Sequence, residues 1–470
     1  MIKFGTGGWR AIIADGFTKA NVQILCAALA AKMRDEGVTN RGVVIGYDRR
    51  FLSDVAARWA AEVLAGDGIP VKIIRSEAPT PLIMFAVKHF DLPYGLAVTA
   101  SHNPAVYNGI KLFTRGGRDA DEKVTGELEK YIEKASTAKP EAIDYEVGIR
   151  QGIISEIDPQ NTYIDSILRA LDLDVIRDAG LRVVLDPMFG VSRTSLQTIL
   201  MTARCGVDVI HERRDTLFGG RLPSPNVETL GALKSFVLES GADIGIATDG
   251  DADRLGVIDE TGRFLHPNDI LVLLYYYLVK YKGWKGPVVR NLATTHMLDR
   301  VAESLGEVCY EVPVGFKHIS SKMRETDAVI GGESSGGLTV RGHISGKDGI
   351  YAASLLIEMM AVTKRRLSAI LKDITAELGE LHMAETDYKF PPERREEIET
   401  LIMRDQKLPA FRWDVARVSY MDGCKVYFKN GGWIVCRFSG TEPLLRIFCE
   451  MESAVEADEA ARLMKEFVGL

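Results

Sequence analysis

The sequence predicts an α/β protein in which one strand–loop–helix–strand module is used three times and is followed by a smaller α+β domain. Three observations carry this reading. The pattern recurs in the first two-thirds of the chain, it changes after about residue 370, and the length is 470 residues. At ~150 residues per domain, that length allows about three domains, with two or four in range.

The first module reads RGVVIGYDRR, then SDVAARWAAEVLAGDG, then PVKIIR. Short β-branched runs flank an Ala-rich helical stretch, with Ser53 as candidate N-cap and Gly66 and Gly68 as stops. The second reads LRVVLDPMFG, SRTSLQTILMTARCG and VDVIHE, and the third GPVVRNLAT, THMLDRVAESLGE and VCYEVPVG. Strands alternating with helical stretches are the signature of βαβ units. Beyond about residue 370, KDITAELGELHMAETDYKF leads into PPERREEIETLI, a helix opened by proline. Strand-like RVSYMDGCKVYF, GWIVCRF and LLRIFCEM follow, then the helix EADEAARLMKEFV. Hairpins with terminal helices read as an α+β domain.

Composition narrows the function classes. Hydrophobic residues make up 46% and charged residues 26%, as in an ordinary globular protein. A net charge of −7 argues against non-specific binding to nucleic acid or anionic membrane, so an anionic ligand needs a local positive site. The six cysteines include no C-x-x-C pair, which suggests neither a zinc module nor a disulfide framework. MIKFGTGGWR has no apolar signal segment, and the run ILVLLYYYLV is too short to span a bilayer. The expectation is a cytoplasmic protein, monomer or dimer, with no nucleic-acid or membrane partner.

Four loops carry reactive residues. In TASHNPAVYNG, Ser101 and His102 sit among Asn, Pro and Gly. This is a turn, half of a hydrolase pair, or a serine that carries a group; the G-x-S-x-G elbow of the α/β-hydrolases is absent. In TDGDADR, Asp249, Asp251 and Asp253 alternate between two apolar strand-like runs, so three hard oxygens can converge on one divalent cation. An EF-hand is excluded because Arg254 stands where that loop needs glycine, and Mg²⁺ is the natural metal for an open site facing an anion. One alternative is a solvated acidic turn, and another reads the D-x-D as a phosphoryl-accepting Asp249 with Asp251 as acid/base. In GGESSGG, Glu333 and Ser335 could bond sugar hydroxyls, although a glycine-rich hinge reads equally well. In CRFSGTEPLLRIF, Arg437, Ser439, Gly440, Thr441 and Arg446 offer a planar fork, hydroxyls and turn N–H groups to a phosphate. The alternative there is a plain hairpin turn. Together the four loops hold the inventory of phosphoryl transfer on a sugar phosphate.

The ordered set TASHNP, DGDADR, GGESSGG and RFSGTEP, with N-terminal FGTGGWR, resembles the α-D-phosphohexomutase family over the whole chain. The resemblance implies four domains around a central cleft, here divided at 1–150, 151–258, 259–372 and 373–470. It implies that Ser101 is a phosphoserine and that its oxygen, with Asp249, Asp251 and Asp253, holds Mg²⁺. Glu333, Ser335 and Lys317 would grip the sugar, and Arg437, Ser439, Gly440, Thr441 and Arg446 the phosphate that is not transferred. Arg10, His102 and Lys111 match positions of phosphate contact or proton transfer, and Arg254 and Lys347 are further active-site candidates. A hexose 1,6-bisphosphate would serve as intermediate and activator and would turn round in the cleft, and the C-terminal domain is expected to rotate for closure and release. The glucose/mannose branch typically carries GEMSGH and the glucosamine branch GEQSGH; here Ser334 fills the variable position and Gly337 replaces the His. With HISGKDGI and VGFKHI, this favours glucose phosphates, mannose phosphates standing second. Outside the family stand an aspartyl-phosphate phosphatase or mutase using Asp249 and a non-catalytic sugar-phosphate-binding protein.

Overall fold

The computed structural model describes residues 2–5, 7–136, 140–438 and 444–470. The first module is realised as β2 (Val43–Tyr47), the helix Ser53–Gly66 and β3 (Val71–Ile74). It sits in a sheet with β1 (Trp9–Ile12), β4 (Tyr94–Val98), β5 (Tyr107–Thr114), β6 (Arg118–Asp119) and β7 (Ile154–Ile157), in the order β1-β5-β4-β2-β3-β7 with β6 beside β5. β2 lies parallel to β3 and β4, whereas β5 runs antiparallel to β4 and β1. Ala56, Ala57, Ala60, Ala61 and Ala65 are all buried on the helix Ser53–Gly66, so its backbone lies close to its neighbours. Ser53 is not the cap expected of it. Leu52 takes that position with φ 65°, and the Ser53 hydroxyl instead donates to Asp48 Oδ1 at 2.7 Å.

The second module becomes β8 (Arg182–Asp186), the helix Arg193–Thr202 and β9 (Gly206–Val209). With β10 (Ile244–Thr248), β11 (Leu255–Asp259) and β12 (Phe264–Leu265) it forms the order β12-β11-β10-β8-β9. β10 and β11 are buried throughout and pair antiparallel, so TDGDADR is the connection of a buried hairpin. The third module becomes β13 (Val288–Asn291), the helix Met297–Ser304 and β14 (Cys309–Val312), with β15 (Ile330–Gly332) parallel to β13; GGESSGG then leads to β16 (Leu338–Val340).

The C-terminal sheet is antiparallel, in the order β17 (His382–Lys389), β21 (Leu444–Met451), β20 (Trp433–Phe438), β19 (Cys424–Phe428), β18 (Val415–Ser419). Its core joins Val426, Ile434 and Ile447 to Met464 of the helix Ala454–Phe467. HMAETDYK, which the sequence alone does not mark as a strand, forms β17. Among the described residues no helix is long and apolar enough to cross a membrane, and the six cysteines are free thiols.

The chain packs as two compact units, Met1–Ile270 with Ser335–Ser368, and Leu271–Ser334 with Ala369–Leu470. Within the second unit a buried ionic cluster joins β13 and β14 to the C-terminal sheet. The Lys425 ammonium donates to Leu292 O at 2.6 Å and Glu311 Oε2 at 2.7 Å, and lies 4.2 Å above the Trp433 ring. Arg290 donates to Asp299 and Glu311, each at 2.7 Å. Neutral His296 accepts from Lys425 at its Nε2, 3.0 Å away. Burial and the nearby Arg290 push the His296 pKa down to about 3. Its ordinary value is 6.5, so between pH 6.5 and about 3 the unfolded chain binds the proton that the folded one refuses. The stability from His296 is therefore complete above pH 6.5 and is lost as the pH falls through that window. Thermal midpoints measured from pH 7.5 to 5 should fall steeply in wild type and more gently in His296→Gln; equal slopes would show that His296 does not carry the effect.

Candidate active site

Ser101 follows β4 and lies on the turn into β5, buried, with a left-handed φ of 52°. Arg50 holds this turn. Its guanidinium donates to the carbonyls of Ser101 and Asn103 at 2.6 Å, Pro104 at 2.9 Å and Tyr107 at 3.1 Å. Asp48 pairs with Arg50 at 3.3 Å and accepts from the hydroxyls of Thr99 and Ser53. Thr99 in turn accepts the Ser101 N–H at 2.8 Å, and the Phe218 ring stacks under Arg50 at 4.9 Å. A Cβ on Gly109 would stand 2.2 Å from the Trp9 carbonyl, so only glycine lets β1 close on β5 there.

The serine points at the hairpin connection of β10 and β11. Ser101 Oγ donates to Asp249 Oδ2 at 2.8 Å, while Asp249 Oδ1 accepts the N–H groups of Asp253 and Arg254 at 3.0 Å. Lys111, on β5, reaches Asp251 Oδ2 and Asp253 Oδ2 at 2.6 Å each; Thr80 also donates to Asp251, and Lys347 lies 3.0 Å from Asp253. One carboxylate oxygen of each of the three aspartates lies within 4.8 Å of the others. Asp251 Oδ1 and Asp253 Oδ1 are buried without a hydrogen-bond partner. Buried hard oxygens that lack donors fit a small divalent cation. Burial and repulsion from Asp251 and Asp253 hold the Asp249 carboxyl well above the usual range. At Asp253 burial acts the same way, but Lys111, Lys347 and Arg254 outweigh it and hold that carboxyl well below.

The remaining candidates of the first unit gather round this pair of loops. Arg10, on β1, donates to Asn103 Oδ1 at 2.7 Å. His102 Nδ1 lies 3.4 Å from Ser101 Oγ; burial, then Arg254 and Arg10, keep its ring neutral far below the usual histidine range. Gly336 O accepts from Leu255 N at 3.2 Å, and Gly337 bridges to Arg254, which sets the glycines of the third loop beside the aspartates. A Cβ on Gly337 would lie 2.3 Å from Lys347 Cδ. The stem of Lys347 thus fills the space into which a side chain at 337 would grow. Ser335 is exposed at the start of this segment.

The second unit holds the other candidates. Glu333 accepts from Asn291 Nδ2 at 3.3 Å and Gly315 N at 3.2 Å; Lys317 is in the first turn of the helix Phe316–Thr326 that Gly315 opens. Arg437 and Arg446 stand opposite each other on β20 and β21. Asp422 accepts from Arg437 at 2.8 Å and Asp387 lies 3.6 Å from Arg446. Each arginine thus has a carboxylate beside it, which offsets the repulsion of like charges facing each other across a ladder. Ser439, Gly440 and Thr441 lie outside the described residues.

Four domain models match in chain order. They are phosphoglucomutase/phosphomannomutase α/β/α domain I over residues 1–139, domain II over 161–262, domain III over 266–378 and the C-terminal domain over 399–468. The chain belongs to the phosphoglucomutase/phosphomannomutase family. It is 29% identical over 462 residues to a phosphoglucomutase/phosphomannomutase of Thermococcus kodakarensis, covering 98% of this chain and 97% of the relative. It is 31% identical over 475 residues to a probable phosphoglucosamine mutase of Pyrococcus abyssi, covering 99% and 98%. The crystal structure of a putative phosphomannomutase from Thermus thermophilus superposes with a TM-score of 0.86 at 30% identity, covering 99% of each chain. The fold is thus the four-domain phosphohexomutase fold, and the chain is an enzyme of intramolecular phosphoryl transfer.

For this phosphohexomutase the sequence motifs name the candidate loops and miss what holds them. Asp48, Arg50, Thr80 and Thr99 escape the sequence reading. The one signal available for the first two is that a strand-like run, RGVVIGYD, ends directly in an acid and two arginines.

Proposed function

We propose that the protein interconverts hexose 1-phosphate and hexose 6-phosphate, glucose being the hexose, with Ser101 as phosphoryl carrier and a hexose 1,6-bisphosphate as intermediate and activator. The observation that carries this reading is the buried Ser101 hydroxyl set 2.8 Å from the first of three clustered aspartates. Residues 1–150 supply Ser101, 151–258 the aspartates, 259–372 the sugar loop and 373–470 the phosphate clamp. Asp249, Asp251, Asp253 and the Ser101 oxygen would hold Mg²⁺, which when bound lowers the charge on the transferring group. Arg10 adds a second cation beside the serine turn. His102 and Lys111 are the candidates for handling protons, the neutral His102 ring, 3.4 Å from Ser101 Oγ, as acceptor and the Lys111 ammonium, held on the aspartates, as donor. Glu333, Ser335 and Lys317 hold hydroxyls between the two ends of the sugar, contacts that serve either orientation of the bisphosphate. Arg437 and Arg446, with Ser439, Gly440 and Thr441, hold the resting phosphate; Arg254 and Lys347 steady the aspartates.

The relation to a probable phosphoglucosamine mutase gives the amino sugar a place beside mannose as the competing substrate. Intact mass and peptide mapping should show one phosphoryl group, on Ser101. With a bisphosphate activator present, kcat/KM should be highest for glucose 1-phosphate among the glucose, mannose and glucosamine 1-phosphates. Phosphate on Asp249 would overturn the serine carrier, and a higher value for either other sugar would overturn the choice of glucose.

A further inference from the structure

We infer that His211 is a positioning residue for the aspartate loop, the middle member of a clasp, Asp186–His211–Arg221, that sets where Asp249, Asp251 and Asp253 stand. The inference rests on the reading of those aspartates as a Mg²⁺ site.

The clasp lies at the carboxyl end of β8. That strand has β9 on one side and β10 on the other, both parallel to it, so its end is the point where the sheet winds in both directions. Asp186, the last residue of β8, is buried. Its Oδ1 accepts Met188 N at 2.7 Å and its Oδ2 lies 2.9 Å from His211 Nδ1. Arg221, which can only donate, is 3.2 Å from His211 Nε2. The ring proton therefore sits on Nδ1 and is donated to Asp186.

Two loops meet through this histidine. Residues 187–191 follow β8, and residues 211–223 form a strap. Phe189 N also donates to His211 O at 2.9 Å. Between them the two loops hold the peptide of Gly250, the residue that separates Asp249 from Asp251. Gly250 N donates to Pro223 O at 3.2 Å, and Gly250 O accepts from Val191 N at 3.3 Å. There is no slack. A Cβ on Gly190 would stand 2.6 Å from Gly250 O, and one on Gly250 would stand 2.8 Å from Ser101 O. The same strap carries Phe218, whose ring stacks on Arg50.

Four non-glycine residues of the two loops hold left-handed backbone, Met188 at φ 51°, Phe189 at 62°, His211 at 48° and Phe218 at 52°. Such conformations persist where surrounding contacts over-determine them, and they cluster at functional sites. The clasp supplies those contacts, and Gly250 is what the two loops grip.

Magnesium chloride titrated calorimetrically into the full-length chain tests this, with variants His211→Gly, His211→Asn, Arg221→Met and Asp251→Asn. Glycine keeps the left-handed backbone and removes the donor. Asparagine tolerates that backbone and places an N–H where Nδ1 stood. His211→Gly should bind Mg²⁺ about 10–100-fold more weakly, the usual cost of losing an outer partner of a metal site. His211→Asn should bind close to wild type, and Arg221→Met, at an exposed position, should weaken binding to a smaller degree. Turnover of His211→Gly should recover as magnesium is raised, which an unfolded variant would not show. Unchanged affinity in both His211→Gly and Arg221→Met overturns the inference, as does an equal loss in His211→Gly and His211→Asn. Unchanged affinity in Asp251→Asn overturns the metal reading itself, and the clasp with it.

Discussion

Ser101→Ala should lower hexose-phosphate interconversion at least ~10⁴-fold, as loss of a covalent carrier does in enzymes whose catalytic groups act as a unit. The coupled assay with glucose 1-phosphate and bisphosphate activator reads this directly. Removing the hydroxyl takes away both the atom proposed to carry the phosphoryl group and the donor 2.8 Å from Asp249. It also leaves alanine at the φ of 52° that serine holds, without the hydrogen bond to Asp249 that helps to keep that strained backbone in place. Ser101→Gly accepts that φ, so it separates strain from chemistry. If strain were the cause, glycine would restore activity; the carrier role requires both variants to be inactive. Turnover above a hundredth of wild type in either would sink it.

Arg50→Met should cost the first unit about 3–5 kcal/mol, the range for breaking a buried charge pair from one side. Arg50 is fully buried. Methionine leaves four carbonyls of the serine turn without the donor they share and leaves buried Asp48 without its cation. Burial already raises the Asp48 carboxyl, with Arg50 the foremost influence against it. Arg50→Lys should recover little, because an ammonium cannot present a planar fork to several carbonyls at once. Equilibrium urea denaturation measures the loss; a change below ~1 kcal/mol, the ordinary size for a point substitution, would mean that the turn holds itself.

These two expectations show what sequence does and does not make visible. The three βαβ modules are legible because strand and helix periodicities are local, and β2, β8 and β13 begin within two residues of where the β-branched runs place them. The aspartate loop is legible for the same reason, as alternation between two buried strands. Arg50 is not. In DRR it reads as a solvated charge, and its partners at 101–107 lie some fifty residues away, brought near only by the parallel pairing of β2 with β4. Ser53 has the composition of a cap, yet Asp48 claims its hydroxyl. His211 stands near the end of the strand-like run VDVIHE and Arg221 sits in a stretch without periodicity, and only the folded sheet brings His211 to Asp186 and Arg221 to His211. The packing of the C-terminal sheet with β13 and β14 in one unit depends on Lys425, Glu311 and Arg290, charges that a pattern of hydropathy assigns to the surface.

Lys111 lies across Asp251 and Asp253, Lys347 reaches Asp253, and Arg254 stands beside them. Burial and the two other aspartates hold the Asp249 carboxyl towards its neutral form, so two carboxylates meet three cations supplied by the chain. Much of the charge on the cluster is thus balanced by the chain itself. On the Mg²⁺ reading, loading would be an exchange, in which a divalent ion meets two oxygens already bare and competes with side-chain ammonium groups for the rest. The hold of those ammonium groups on the aspartates would then set how tightly the ion is kept.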